Sequence, residues 1–409
     1  MSKRTNIYKI EWNDPAQAQS IGIGCAVMWN RVNYRRRQSF FDEDSPEIDW
    51  SYKDIYNDLK GWIGSSTAQQ IIRKNTHAWG SFFGLLKLQK QGKLPPEIEH
   101  VGPPGYWKDR NTGKKNPIII LRNNCYKIEE GDNNKKKLKV PKKVNSASEL
   151  KGKPVWEGKQ GSMECIYNRL NKSWYGYQPI EVEFENHEPR SHRHAFVDLG
   201  IICPIVSVFE GSQQAVAYNG KGLISDWYYM SKRISAVESQ LKLVNDKHKS
   251  RLLSTLYRKR KKRYRHGINT IVCRFVKECK SRNITKIVMG DLTGIRRANT
   301  KDRNRVPKNR AMTNNIWSHA YLTRRIELTA EREGIEVEKI NEGYTSSWCP
   351  YCSSFDVIRK KRLFRCKSCH TEFHRDVVGS HNISIVYSHE NGHGECDNGV
   401  LAHPLFAET

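Results

Sequence analysis

The chain has 409 residues and a formal charge of +27, from 70 Lys and Arg against 43 Asp and Glu. Such an excess fits a polyanionic partner rather than a membrane, and no run of 18 or more apolar residues offers a bilayer-spanning helix. The length leaves room for about two to four domains. Eleven cysteines, four of them in a metal-ligand pattern, and a polar start (Met1-Ser-Lys-Arg-Thr-Asn6) with no signal core point to a reducing compartment, nucleoid or nucleus.

In chain order, Ile7 to Trp12 is expected as a short strand, followed by a helical region to about Gln91. There Leu59, Trp62, Ile63, Ile71, Ile72, Trp79, Phe82, Phe83 and Leu86 recur at helical intervals. Interspersed Arg35, Arg36, Arg37, Arg73 and Lys74 leave two readings open, a phosphate-facing surface and a solvated face. From Leu94, Pro95-Pro96 and Pro103-Pro104-Gly105 punctuate short β-like runs, Ile118–Leu121 and Cys125–Ile128, which predict a small barrel or sheet. The basic stretch Asn133–Lys143 reads as a mobile loop.

A second region opens near His192. His194 to Ile202 is an apolar strand carrying one acid, Asp198, and Val206–Phe209 and Ala215–Tyr218 complete a three-strand meander. An acid within an apolar strand is costly unless paired or bound to a cation, which makes Asp198 a metal-ligand candidate, with a turn-forming role as the alternative. Met230 to Val276 is helical in pattern. It includes Arg258, Lys259, Arg260, Lys261, Lys262, Arg263 and Arg265, seven bases in eight residues that would cover every face of a helix and favour phosphate contact. A buried strand, Ile284 to Met289, ends at Gly290-Asp291. An Arg- and Lys-rich loop with Arg296 and Arg297 follows, then a helix to Arg332 and a strand, Ile335–Ile340, that delivers the chain to Glu342.

Cys349-Pro-Tyr-Cys352 and Cys366-Lys-Ser-Cys369 are two C-x2-C knuckles thirteen residues apart, the spacing of a structural zinc ribbon, with a disulfide pair or chance as the alternative. Glu342 precedes the ribbon and Asp376 follows it. A ribbon that closes on itself brings its ends together, and acids held close suit divalent-metal phosphoryl chemistry. A meander, helix, strand, helix, strand, ribbon and final helix, with acids at strand ends, predicts an α/β, RNase H-like fold.

Val197-Asp198-Leu-Gly200, the Met289-Gly290-Asp291-Leu292 strand end, Tyr344-Thr-Ser346 before the ribbon, Arg375-Asp376 and Asn382-Ile383 together resemble the RuvC nuclease half of TnpB, an RNA-guided DNA endonuclease family related to Fanzor proteins and type V CRISPR effectors. The motifs span roughly Ala195 to Ile383; Gln69-Gln70 and the Pro-Pro-Gly-Tyr-Trp stretch resemble the recognition and wedge regions more loosely. The resemblance implies a wedge-like β domain (1–15 and 93–190), a helical recognition domain (16–92), a RuvC-like nuclease domain (191–345 and 371–390), an inserted ribbon (346–370) and a flexible tail (391–409).

Most TnpB proteins carry Glu where this chain has Gly290, and Fanzor proteins are similar to it in having the acid relocated ahead of the ribbon. The resemblance therefore implies a catalytic set of Asp198, Glu342 and Asp376 with Asp291 in reserve. It also implies two Mg²⁺ ions that activate water and stabilise the leaving 3′ oxygen, structural zinc, a guide RNA encoded by the element, double-stranded target DNA with a short flanking motif, and a monomeric protein in a ribonucleoprotein. Two rivals are a nuclease-inactive RNA-guided DNA-binding protein or transposition regulator, and a guide-free RNase H-like transposase.

Overall fold

The computed structural model describes residues 2–42, 47–95, 98, 100–108, 113–130, 136–141, 144, 148–184, 193–212, 214–245, 250–292, 318–341, 343, 345–391 and 404–407. It divides into two compact units, Met1–Glu183 and Phe184–Thr409.

The first unit is organised on β1 (Ser2–Glu11), whose alternating Arg4, Asn6, Tyr8 and Ile10 turn inward as a period-two strand requires. β1 pairs antiparallel with β8 (Ser173–Val182) along most of its length and with β5 (Ser148–Lys151) at its end. Between them the chain adds β2 (Ile118–Leu121), β3 (Lys127–Glu130), β4 (Lys136–Lys139), β6 (Lys159–Gln160) and β7 (Met163–Asn168). The order is β2-β7-β8-β1-β5-β4-β3, with β6 on β8. Straight after β1, Asp14 caps α1 (Pro15–Phe40) by accepting the Gln17 N–H at 2.9 Å, and α2 (Lys53–Ile63) and α3 (Ser65–Lys90) follow. The helices and the sheet share one core, in which Ile21, Met28, Ile63 and Ile71 pack with Tyr8, Ile10, Ile119 and Trp174. The expectation of a loop over Asn133–Lys143 is corrected for Lys136–Lys139. That segment pairs with β3 and β5, because Leu138 buries fully while its lysine neighbours point outward.

The second unit is built on a six-stranded sheet. β9 (Arg193–Asp198), β10 (Ile205–Phe209) and β11 (Val216–Tyr218) form an antiparallel meander, and β12 (Ile284–Gly290) and β13 (Glu336–Ile340) run parallel to β9 on its other side. Both faces are covered, as near-continuous apolar strands require. On one face Ile268, Ile271 and Phe275 of α5 (Arg251–Ser281) and Leu322 and Ile326 of α6 (His319–Arg332) meet Ala195, Val197, Ile287 and Met289. On the other, Val377, Val378, Ile383 and Tyr387 of α7 (Arg375–Asn391) meet the alternate residues Phe196, Val206, Val208 and Val288. Each such buried side chain contributes about 1.5–3 kcal/mol. α4 (Lys221–Asn245) packs along α5.

The tail expected over 391–409 is corrected at one place: Leu405–Ala407 forms a strand, β17, parallel to β11 at the sheet edge. The Leu405 N–H reaches the Ala215 carbonyl at 2.9 Å.

Candidate active site and metal centre

The two knuckles have the same local cause. After each second cysteine the chain turns through a left-handed residue, Ser353 (φ 57°) and His370 (φ 58°). The Ser353 N–H returns to the Cys349 carbonyl at 2.8 Å, and the Cys366 N–H reaches the Thr371 carbonyl at 3.0 Å. The four sulfurs lie within 4.8 Å of one another, with Cys349 to Cys369 at 3.7 Å and Cys352 to Cys366 at 3.5 Å. A disulfide holds its sulfurs about 2.05 Å apart, whereas Zn–S bonds of about 2.3 Å give a tetrahedron with edges of roughly 3.8 Å. The donor set fits zinc. Thr371, whose hydroxyl is 2.9 Å from Cys369 Sγ, and its backbone lower the Cys369 thiol, whereas burial raises the Cys349 thiol and the neighbouring sulfurs raise that of Cys352. A small sheet of β14 (Val357–Lys360), β15 (Leu363–Cys366) and β16 (Glu372–His374) carries the ribbon. β16 runs directly into α7, which places Asp376 in that helix's first turn.

Asp198 and Asp291 stand at the C-terminal ends of two neighbouring strands of the six-stranded sheet. Met289 pairs with Val197, so Gly290 stands beside Asp198 at the ends of two parallel strands. Gly290 pairs with Ile340, and the Asp291 N–H donates to the Ile340 carbonyl at 2.7 Å. Three strands therefore finish level. Asp198 is half-buried and Asp291 exposed.

The Asp198 side chain lies against α7. A Cβ placed on Gly379 would sit 2.7 Å from Asp198 Oδ2 and 2.9 Å from its Cγ. Positions 376 and 379 share a helix face with Cβ sites about 5–6 Å apart, so the Asp198 carboxylate rests one turn from Asp376. The helix N-terminus also favours the Asp376 carboxylate. Two of the expected acids thus border the first two turns of α7, Asp376 from the helix and Asp198 from β9. Glu342 lies outside the described residues, as do Arg296 and Arg297; the chain before Glu342 ends its strand at Ile340 beside Gly290.

Three neighbours escaped the sequence reading. Gly379 admits the Asp198 carboxylate, and its place three residues after Asp376 was the available signal. The buried Cys203 thiol sits against Asp376, and the Arg362 guanidinium donates to its sulfur at 3.7 Å. Burial first and Asp376 second push that thiol up to about 11. Nothing in the sequence marked Cys203 or Arg362.

The basic run lies on α5, but its residues are not equivalent. Arg260 is stacked over Trp227 at 4.2 Å and Tyr257 at 5.0 Å and donates to Ser231 Oγ at 2.8 Å. Arg263 pairs with Asp226, and Arg265 lies over Tyr321 at 4.8 Å. These three of the seven thus have partners within the fold. Arg258, Lys259, Lys261 and Lys262 are exposed.

A TnpB-like protein, ORF457 of Acidianus two-tailed virus, is 31% identical over 416 residues, covering 93% of this chain and 86% of that one. The chain belongs to the TnpB-like family. A second TnpB-like protein, MJ0751 of Methanocaldococcus jannaschii, is 35% identical over 148 residues, 35% of this chain and 50% of that one. The family described as Probable transposase matches residues 177–296, and the Cas12f1-like, TNB domain matches residues 319–383. In this TnpB-like chain the two matched segments hold Asp198 and Asp291, and the four cysteines and Asp376. Its fold resembles that of Cas12f1 in a complex with sgRNA and target DNA (TM-score 0.55, 14% identity, 91% of this chain and 83% of that one). It also resembles the mini-RNA-guided endonuclease CRISPR-Cas_phi3 (TM-score 0.56, 12% identity, 99% and 93%).

Proposed function

We propose that this TnpB-like protein is an RNA-guided, Mg²⁺-dependent DNA endonuclease of a transposable element, with the second unit as its RNase H-like nuclease. The observation that carries this reading is the seat of the Asp198 carboxylate against Gly379, one helical turn from Asp376. Carboxylate oxygens are the hard donors that Mg²⁺ prefers. Asp198, Asp376 and Glu342 would hold it, and Asp291 is the reserve ligand where Gly290 replaces the usual acid. When bound, Mg²⁺ supplies an acidified water and charge stabilisation at the leaving oxygen.

The protein's own residues do the rest. Asp198 is fixed by β9 and by α7, and Asp376 by the helix start that follows the ribbon, so both are set before substrate arrives. Cys349, Cys352, Cys366 and Cys369 would hold a structural zinc, and β16 carries the ribbon directly into the start of α7. Arg258, Lys259, Lys261 and Lys262 bind phosphate without reading sequence. Base pairing with a guide RNA reads the target, while the first unit, as wedge sheet and recognition helices, reads a short flanking motif. RNA and DNA named with the structural neighbours support these partners.

The test is to purify the protein, sequence the RNA that accompanies it, and assay plasmid cleavage programmed by that RNA in Mg²⁺. Programmed cleavage that Glu342→Ala abolishes is the expected result. A second reading, an RNA-guided DNA-binding protein without cleavage, is favoured by Gly290 and by the exposure of Asp291. Guided binding without cutting would establish that one, and cleavage of element ends with no co-purifying RNA would indicate a guide-free transposase.

A further inference from the structure

We propose that the outward face of α4 is a platform for single-stranded DNA, with Tyr228 and Tyr229 stacking on unpaired bases and Lys221, Lys232 and Arg233 meeting the phosphates. The proposal rests on the reading of the second unit as a guided nuclease and deepens it by naming the strand this face takes. α4 packs on α5 through Met230 and Ile234, with Val237 and Leu241 beside them, against Leu253 and Leu256. Those α4 positions recur at intervals of three and four and define one face of the helix. Residues 221, 228, 229 and 232 fall on the opposite face. There Tyr228 is 50% exposed and Tyr229 58%, and Lys221, Lys232 and Arg233 are exposed around them.

The charges of α4 are sorted between its two faces. Its two acids turn to α5: Asp226 pairs with Arg263, and Glu238 accepts the Tyr257 hydroxyl at 2.6 Å. Trp227 is engaged there too, beneath the Arg260 guanidinium. The outward face is left with cations and two bare phenol rings. Among the described residues Tyr228 has no hydrogen bond or ring contact, and Tyr229 has the Arg233 guanidinium 5.9 Å from its ring centre. A face with cations and no acid fits a polyanion, but cations alone would serve that purpose. Rings open to solvent between the cations add a surface for bases, and stacking of this kind needs bases that are free of a duplex. Guided pairing leaves one DNA strand in that state. α4 also leaves the nuclease sheet directly, with Asn219 and Gly220 alone between it and β11.

The test uses the ribonucleoprotein as purified, with Tyr228→Ala and Tyr229→Ala combined, and with Tyr228→Phe and Tyr229→Phe combined. Fluorescence anisotropy measures binding of an oligothymidine unrelated to the guide, an oligouridine and a DNA duplex, and photo-crosslinking of an iodo-substituted oligothymidine locates the contact. The expected result is a crosslink at residues 228–229 and oligothymidine binding at least about tenfold weaker in the Ala pair. The Phe pair binds as the wild type does, and duplex binding and melting are unchanged. Unchanged oligothymidine binding in the Ala pair, or an equal loss for the duplex, overturns the platform. A Phe pair as weak as the Ala pair overturns stacking, and tighter, tyrosine-dependent binding of oligouridine assigns the face to RNA and overturns the choice of DNA. Absence of programmed cleavage by the wild type sinks the guided-nuclease reading instead, and the oligothymidine arm still judges the platform.

Discussion

The Asp198 carboxylate and Gly379 are in contact across the junction of β9 and α7, so close that a methyl group on residue 379 would meet Oδ2 at 2.7 Å. Gly379 is set in α7 and Asp198 ends β9, so a methyl group at 379 must push the Asp198 side chain, down to its Cβ at 3.4 Å, out of its place. Gly379→Ala is therefore expected to displace Asp198. A misplacement of that order costs about a hundredfold in rate, while overpacking costs about 1–3 kcal/mol in stability. Single-turnover cleavage alongside thermal melting checks this, and a variant that cuts at the wild-type rate would contradict it.

Zinc retention should depend on Thr371. A four-thiolate shell loses metal as pH falls and its sulfurs protonate. The Thr371 hydroxyl, first among several causes, lowers the Cys369 thiol below its ordinary value, so its contribution is present at higher pH and is lost as pH falls. Thr371→Ala raises the Cys369 pKa and should move zinc release to higher pH, read with a chromogenic chelator. Release at an unchanged pH would count against the account.

Removal of the ribbon's metal should reach the acids. Because β16 leads without a break into the turn bearing Asp376, Cys366→Ser is expected to lose stoichiometric zinc and abolish Mg²⁺-dependent cutting together. Metal analysis and the plasmid assay report on the two, and cutting by a zinc-free protein is the contrary result.

Within the basic run of α5, neighbouring substitutions should behave differently. Lys259→Ala, Lys261→Ala and Lys262→Ala remove exposed charges, so each should lower the salt dependence of nucleic-acid binding by about one unit of slope and leave melting unchanged. Arg260→Ala instead removes a guanidinium stacked on Trp227 and Tyr257 and should cost about 1–2 kcal/mol of stability. Salt titrations and melting curves for the four variants distinguish these outcomes.

That contrast also marks how far the sequence was legible. The apolar runs at Ala195–Asp198 and Ile284–Met289, the helical period of α5, and the cysteine spacing were all local, and each came through as an element of the expected type. The engagement of Arg260, Arg263 and Arg265 was largely not local, because Trp227 and Asp226 lie on α4 and Tyr321 on α6. β17 was hidden for a related reason: Leu405–Ala407 is three residues long and becomes a strand only by pairing with the distant β11. β4 was masked by lysines that point to solvent while Leu138 alone points inward. Of the site, the acids and cysteines stood out by type, whereas Gly379, Cys203 and Arg362 acquire meaning only from what they touch.

The most direct measurement of the central claim is Mn²⁺ binding, followed by electron paramagnetic resonance, in the wild-type protein and in Asp198→Ala and Asp376→Ala. The account predicts that the wild type takes up Mn²⁺ at this centre and that either substitution abolishes it while zinc remains bound. Undiminished Mn²⁺ binding in either variant would contradict it.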